Sequence, residues 1–194
     1  MNTLFRVTAP ADYPIMLSEV KRQAKVTLDS EDDLIVLAMD AAVNEMDGAN
    51  GYLGRCLITQ TWELRLDDFR DTMKIPLPPL QSVSSVKYID TNGTEQTLAT
   101  TVYDVLTNPE PGIVRLANSQ TWPTVRREKD AVRIRFVAGY GASGLSVPEL
   151  IRQRLLIRAA TFYEHRDELF VGHAVMPSPF VDSMLENFRI RDAW

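Results

Sequence analysis

The sequence predicts an α+β fold, a small helical bundle core with an inserted antiparallel β-rich region. Three observations predict it. Apolar residues recur at helical spacing before Gly48 and again after Pro148. Between Cys56 and Ala138 the period shortens to two, and an Asn92-Gly93 pair sits between two short β-type runs. A switch from a 3.6-residue period to a two-residue period and back marks helix, sheet and helix in turn. The expected division is 1–55 as the N-terminal helical part of the core, 56–138 as the β-rich insertion, and 139–194 as the C-terminal helical part and tail.

Ser18-Glu19-Val20-Lys21 starts a short helix, with Val20, Ala24 and Leu28 at helical spacing and an end near Thr27. Ser30 then precedes Glu31, Asp32 and Asp33 in the manner of a capping box. The hydroxyl can satisfy an orphan N–H, and carboxylates favour the positive end of a helix. The long helix that follows is expected to bury Leu34, Leu37, Ala38, Ala41, Ala42 and Met46 as one stripe, fraying at Gly48 and Gly51.

From Cys56 the chain alternates. Thr61, Glu63 and Arg65 form a wet face and Trp62, Leu64 and Leu66 a buried one. Ile75-Pro76-Leu77-Pro78-Pro79-Leu80 cannot be a central strand, because each proline removes a ladder donor. The Asp90-Thr91-Asn92-Gly93-Thr94 stretch is a tight hairpin, since Asn-Gly supplies positive φ. Strands follow at Tyr103 to Leu106, Ile113 to Leu116 and Ala131 to Ala138, the last with Arg133 and Arg135 on one face. Ser146 and Pro148 open a helix carrying Leu150, Ile151, Leu155, Ala159, Phe162 and Tyr163 on one side. Phe180 to Ile190 is expected to form a short terminal helix with Phe180, Met184, Leu185 and Phe188 exposed unless a partner covers them.

The chain has 194 residues, a formal charge of -5 and one cysteine, Cys56, which reads as a small buried hydrophobe. No apolar run approaches the roughly 20 residues that cross a bilayer, and the first residues lack a basic-then-apolar leader, so a soluble protein made in the cytoplasm is expected. The acid excess is concentrated: residues 1–54 hold nine acids against four bases. An acidic chain does not grip phosphate backbones over its whole surface.

Chemistry-bearing patterns are few. Gly139-Tyr140-Gly141-Ala142-Ser143-Gly144 has the spacing of a dinucleotide-binding loop, with Glu164 twenty residues beyond. Leu145 to Pro148 intervene before the helix, however, the preceding strand alternates as an antiparallel one does, and Glu164 falls on a helix. The glycines therefore read as a strand-to-helix turn. Glu164-His165-Arg166-Asp167-Glu168 and His173 gather titratable groups without the i, i+4 spacing of a zinc helix. No Gly-x-Ser-x-Gly elbow or Walker loop occurs. Arg126, Arg127 and Lys129 read as a solvated loop after Trp122, itself expected in the core, and Asn92-Gly93-Thr94 as a hairpin tip instead of a glycosylation site.

Several ordered segments together resemble the head-tail connector (adaptor) family of long-tailed phages and phage-derived gene transfer agents. They are Gly54-Arg55-Cys56-Leu57-Ile58-Thr59-Gln60-Thr61-Trp62, Ile75 to Val83, Val86-Lys87-Tyr88-Ile89-Asp90, Trp122-Pro123, and Val137 to Gly141 before Val147-Pro148. The similarity runs from about Ser18 to Arg166. It implies a structural, non-enzymatic virion protein at the head-tail interface. Such a subunit assembles as a cyclic, dodecameric homo-oligomer on the portal protein and meets a tail-side connector or stopper. DNA passes through its channel without sequence-specific binding. No cofactor, no metal and no membrane is implied.

Given that resemblance, two site expectations follow: the apolar Phe180, Met184, Leu185 and Phe188 as portal-docking residues, and Asp32, Asp33 and Asp40 as acids facing a DNA channel, where like charge keeps DNA from sticking. Two other functions stay open, a stand-alone β-sheet module binding a glycan or host protein, and an enzyme of nucleotide metabolism resting on the glycine spacing alone.

Overall fold

The computed structural model describes residues 3–165 and 185–190. The fold is α+β, with three helices and two antiparallel sheets among the described residues. The strands are β1 (Thr3–Thr8), β2 (Gln60–Leu66), β3 (Thr72–Ile75), β4 (Leu80–Ile89), β5 (Glu95–Thr97), β6 (Tyr103–Leu106), β7 (Gly112–Leu116) and β8 (Val132–Ala138). The helices are α1 (Leu17–Gln23), α2 (Asp32–Met46) and α3 (Glu149–Glu164).

The larger sheet has the order β1-β2-β8-β4-β5 and the smaller β3-β7-β6. Their apolar faces form one core, in which Trp62, Leu64, Leu66, Val86, Ile134 and Phe136 of the first sheet share a cluster with Met73, Ile75, Tyr103 and Val114 of the second. Trp122 stacks on Phe69 at 4.7 Å between ring centroids and packs against this core. The period-two alternation placed Trp62, Leu64, Leu66, Ile134 and Phe136 correctly, because their strands have one face on the other sheet and one in water, whereas β3, with Met73 and Ile75, was not foreseen.

A second core belongs to the helices. Ile15, Val20, Ile35, Met39, Ala42, Met46, Ile151, Leu155 and Ala159 pack with Leu53, Leu57 and Ile58 from the chain entering β2. The hairpin forms around Asp90, whose carboxylate accepts from the N–H groups of Asn92 and Thr94, while Gly93 takes φ +83°.

Several expectations need correction. β1 was not foreseen; Thr3–Thr8 pairs antiparallel with β2, so the N-terminal part supplies an edge strand as well as helices. α1 ends at Gln23, four residues short, where Lys25 turns the chain at φ +57°. Ser30 does not cap α2: it lies in a 3-10 turn, Asp29–Glu31, and α2 begins at Asp32 with no side-chain cap bond. Lys21 instead holds Asp29 and Asp32 at 2.7 and 2.6 Å.

The buried stripe of α2 is rotated by one residue. Ile35, Ala38, Met39, Ala42 and Met46 are inside, whereas Leu34 and Leu37 are exposed. Helical spacing fits both sets, so periodicity alone could not choose between them. On α3 the buried residues are Ile151, Leu155, Ala159 and Ala160, with Leu150 exposed.

Candidate functional site

The glycine-rich turn is a packing device. Gly139, at φ +131°, lies so close to β2 that a Cβ there would meet the Ile58 carbonyl carbon at 2.6 Å. Its N–H donates to Pro79 O at 2.9 Å, Tyr140 N–H to Leu57 O at 3.1 Å, and Thr59 N–H to Gly141 O at 2.9 Å. Gly144 abuts the Tyr13 and Pro14 carbonyls, where a Cβ would come within 2.8 and 2.7 Å of the two oxygens. The segment that a pyrophosphate would approach is thus filled by backbone carbonyls, whose partial charge repels phosphate. A short 3-10 turn, Gly144–Ser146, follows it in place of a helix start.

Among the described residues no group of three His, Cys, Asp or Glu side chains could hold a metal ion, and no helix is long and apolar enough to cross a membrane. Cys56 is fully buried, and burial pushes its thiol far above the usual range, so it is no nucleophile. His165 is exposed just after α3, and His173 lies outside the described residues. Arg126, Arg127 and Lys129 are exposed in their loop, Arg126 paired with Glu128 at 3.2 Å.

The three acids singled out from sequence all stand on α2, in different surroundings. Asp32 is half-buried against Lys21, and Asp33 is exposed. Asp40 accepts the Tyr13 hydroxyl at 2.6 Å, a bond that raises the phenol above its ordinary value. Asp40 and Tyr13 border a cleft of about 230 Å³ between α2 and the chain after β1, which Arg6, Asn44 and Asp47 also line. Burial pushes the Asp47 carboxyl up, against opposing bonds from Gln60 Nε2 at 2.9 Å and Leu57 N–H at 2.7 Å. Gln60 Oε1 beside it is buried without a hydrogen-bond partner.

Of the proposed docking residues, Phe180 and Met184 lie outside the described residues. Leu185 is not exposed: it is 1% accessible in the helical core, and Phe188 packs on the same cluster. Residues 185–190 form a strap over that core. Ile190 N–H donates to Leu53 O at 3.0 Å, the Tyr52 hydroxyl to Glu186 at 2.7 Å, and Arg55 Nε to the Phe188 carbonyl. Arg55 also pairs with Glu110 at 2.7 Å and lies 6.0 Å over the Tyr140 ring, which ties the strap to the β6–β7 loop. Sequence reading missed this role; an arginine just before an apolar run was its one visible trace.

On the outer face of the larger sheet, Glu63 accepts from Arg65 at 2.8 Å and Arg135 at 3.0 Å. Glu95 accepts from Lys87 at 2.7 Å and Arg133 at 3.0 Å. Burial alone would raise Glu63, but the two guanidiniums hold it below the usual carboxylate range.

No family model matches the chain, and no curated protein does. Solved structures do. A chain of the virion of a native gene transfer agent (GTA) particle shares 25% identity at a TM-score of 0.78, over 97% of this chain and 96% of that one. A chain from the neck of an empty GTA particle, computed with C6 symmetry, gives 23% and 0.78 over the same shares. One from the neck of a native GTA particle, computed with C12 symmetry, gives 24% and 0.72, again over 97% and 96%. The likeness spans both cores and both sheets.

Proposed function

We propose that this chain is a structural subunit of the neck of a phage-like particle, a head-tail adaptor that forms a ring between portal and tail-side connector and leaves a channel for DNA. The observation that carries the reading is the near full-length match, at 25% identity and a TM-score of 0.78, to a chain of a gene transfer agent virion. The neck position and sixfold and twelvefold symmetries of two further structural neighbours support a ring.

The physical features agree with a scaffold. Its polar groups connect elements of the fold, the buried Arg55 between strap and loop and the half-buried Asp47 between the end of α2 and Gln60 of β2. Such groups fix relative orientation, which a ring subunit needs in order to repeat one contact around a closed circle. Portal docking through the segment before Leu185, and a channel lined by acids, extend the same proposal. Asp33 is the exposed member of the three acids.

Light-scattering mass of the purified full chain, alone and with its cognate portal, tests the adaptor reading. A portal complex of cyclic stoichiometry is the expected result. A monomer indifferent to portal would overturn it in favour of a stand-alone binding module.

A further inference from the structure

Because the buried stripe of α2 runs through Ile35, Ala38, Met39 and Ala42, a second apolar stripe is left on the outside. Leu34, Leu37, Ala38 and Ala41 face Phe162 and Tyr163 of α3 across an open groove of about 220 Å³. Leu37 is 66% exposed and Leu34 42%. Large aliphatic side chains gathered in an open groove favour a partner that removes them from water. One end of the groove is acidic: Glu31 accepts from the Tyr163 hydroxyl at 3.2 Å, within the run Asp29, Glu31, Asp32 and Asp33 that precedes Leu34 in the chain. Lys21 binds two of these acids, and Arg158, over the Phe162 ring, is held by Glu45 at 2.6 Å.

The matching surface lies on the same molecule, on different elements. On edge strand β1, Phe5 and Val7 are 42% and 45% exposed, with the Arg65 guanidinium 4.3 Å over the Phe5 ring. Phe5 pairs with Glu63 across the ladder and so shares the outer face with Arg65, Arg133, Arg135 and Lys87, four bases against Glu63 and Glu95. One patch is apolar with an acidic end, the other apolar with a basic field.

We propose that the α2–α3 groove of one subunit receives the Phe5 edge of the larger sheet of the next copy. The proposal rests on the ring reading and names its contact. Two different patches that fit each other make a heterologous interface, which closes into a ring when its rotation divides the circle; a groove that met its own copy would stop at pairs. The charge match aligns the two patches and rejects groove-to-groove approach.

The test uses the full chain with its portal. Leu37→Glu and Phe5→Glu alter exposed side chains, and thermal melting checks that each variant folds as the wild type does. Wild type is expected to form portal rings and both variants to lose them. In addition, Leu37→Cys and Phe5→Cys subunits, mixed on the portal and treated with a short bismaleimide, should cross-link to each other, with the native Cys56 silent because it is buried. Rings of wild-type mass from both glutamate variants would overturn the proposal. So would self-cross-linking of the Leu37→Cys subunit, or its capture of the portal instead of a Phe5→Cys neighbour. If wild type itself forms no ring with portal, the adaptor reading fails and the proposal falls with it.

Discussion

Arg55 Nη2 lies 2.7 Å from Glu110 Oε2, and the two ends of this pair are unequal: the arginine is 4% accessible, while the glutamate side chain is 39% accessible. The pair joins the β6–β7 loop to the chain entering β2, and through Arg55 Nε to the Phe188 carbonyl. Its partners therefore come from three parts of the sequence.

That inequality predicts an inverted mutational order. Removing the exposed acid leaves a buried guanidinium with an unanswered charge, a loss of about 3 kcal/mol for Glu110→Ala. Replacing the buried base by a similarly shaped apolar chain, Arg55→Met, lets Glu110 return to water and forfeits mainly the bond to Phe188, about 1–2 kcal/mol. Urea midpoints of the two variants should fall in that order.

The strap makes a second prediction. Leu185 fills the helical core, so Leu185→Ala should cost about 2–5 kcal/mol in chemical denaturation. A chain ending at Pro177 loses Leu185, Phe188 and the Ile190–Leu53 hydrogen bond together. It should therefore unfold at markedly lower urea, and failure of such a truncation to join portal would report lost stability before lost docking.

Much of this was readable from sequence wherever one face of an element was buried and the other wet. β2 and β8 came out with the right faces because Trp62, Leu64, Ile134 and Phe136 alternate with charged residues. α2 did not, because it is apolar on two stripes, and a helix with two candidate faces carries no internal signal of which one the fold uses. β1 was invisible for a related reason: as an edge strand it has only one neighbour, and Phe5 and Val7 stay in water. The same two ambiguities coincide with the two surfaces assigned to the subunit contact, as expected when a sequence answers to assembly as well as to folding. The placement of Arg55 and Leu185 depends on partners from distant parts of the chain, which no local pattern encodes.

Asp47 and Glu63 should respond to pH in opposite directions. The folded chain holds the Asp47 proton to higher pH than the unfolded chain, so this group's contribution is full below 3.8 and is lost as pH rises through its elevated folded value. Glu63 is the reverse: its contribution is full above 4.5 and is lost as pH falls through its depressed folded value. Asp47→Asn should remove the first dependence. Its amide oxygen can still accept from Leu57 N–H, and a half-turn of the Gln60 amide lets Oε1 accept from the new NH₂ in place of the bonds that Gln60 Nε2 now donates, with no buried charge left to desolvate. A gain of about 1 kcal/mol at neutral pH is expected, against a loss of about 1–3 kcal/mol for Asp47→Ala, which abandons the Leu57 N–H. Urea melts at pH 4, 5.5 and 7 separate the two carboxylates.

Gly139 and Gly93 both have positive φ, yet their substitutions should differ in cost. At Gly93, φ +83°, an added methyl would meet the tip of Arg126, a flexible side chain in an exposed loop, so Gly93→Ala pays mainly for the backbone, about 1 kcal/mol. At Gly139, φ +131°, the methyl would press on the Ile58 and Thr59 main chain, which is fixed on both sides by the Tyr140–Leu57 and Thr59–Gly141 hydrogen bonds. Nothing there can yield without breaking the entry to β2, and Gly139→Ala should cost on the order of 3 kcal/mol. A thermal shift with NAD or NADP separates this packing role from nucleotide binding: neither dinucleotide should raise the melting temperature of the wild-type chain. A shift that Gly139→Ala abolished would return the turn to the nucleotide-binding class.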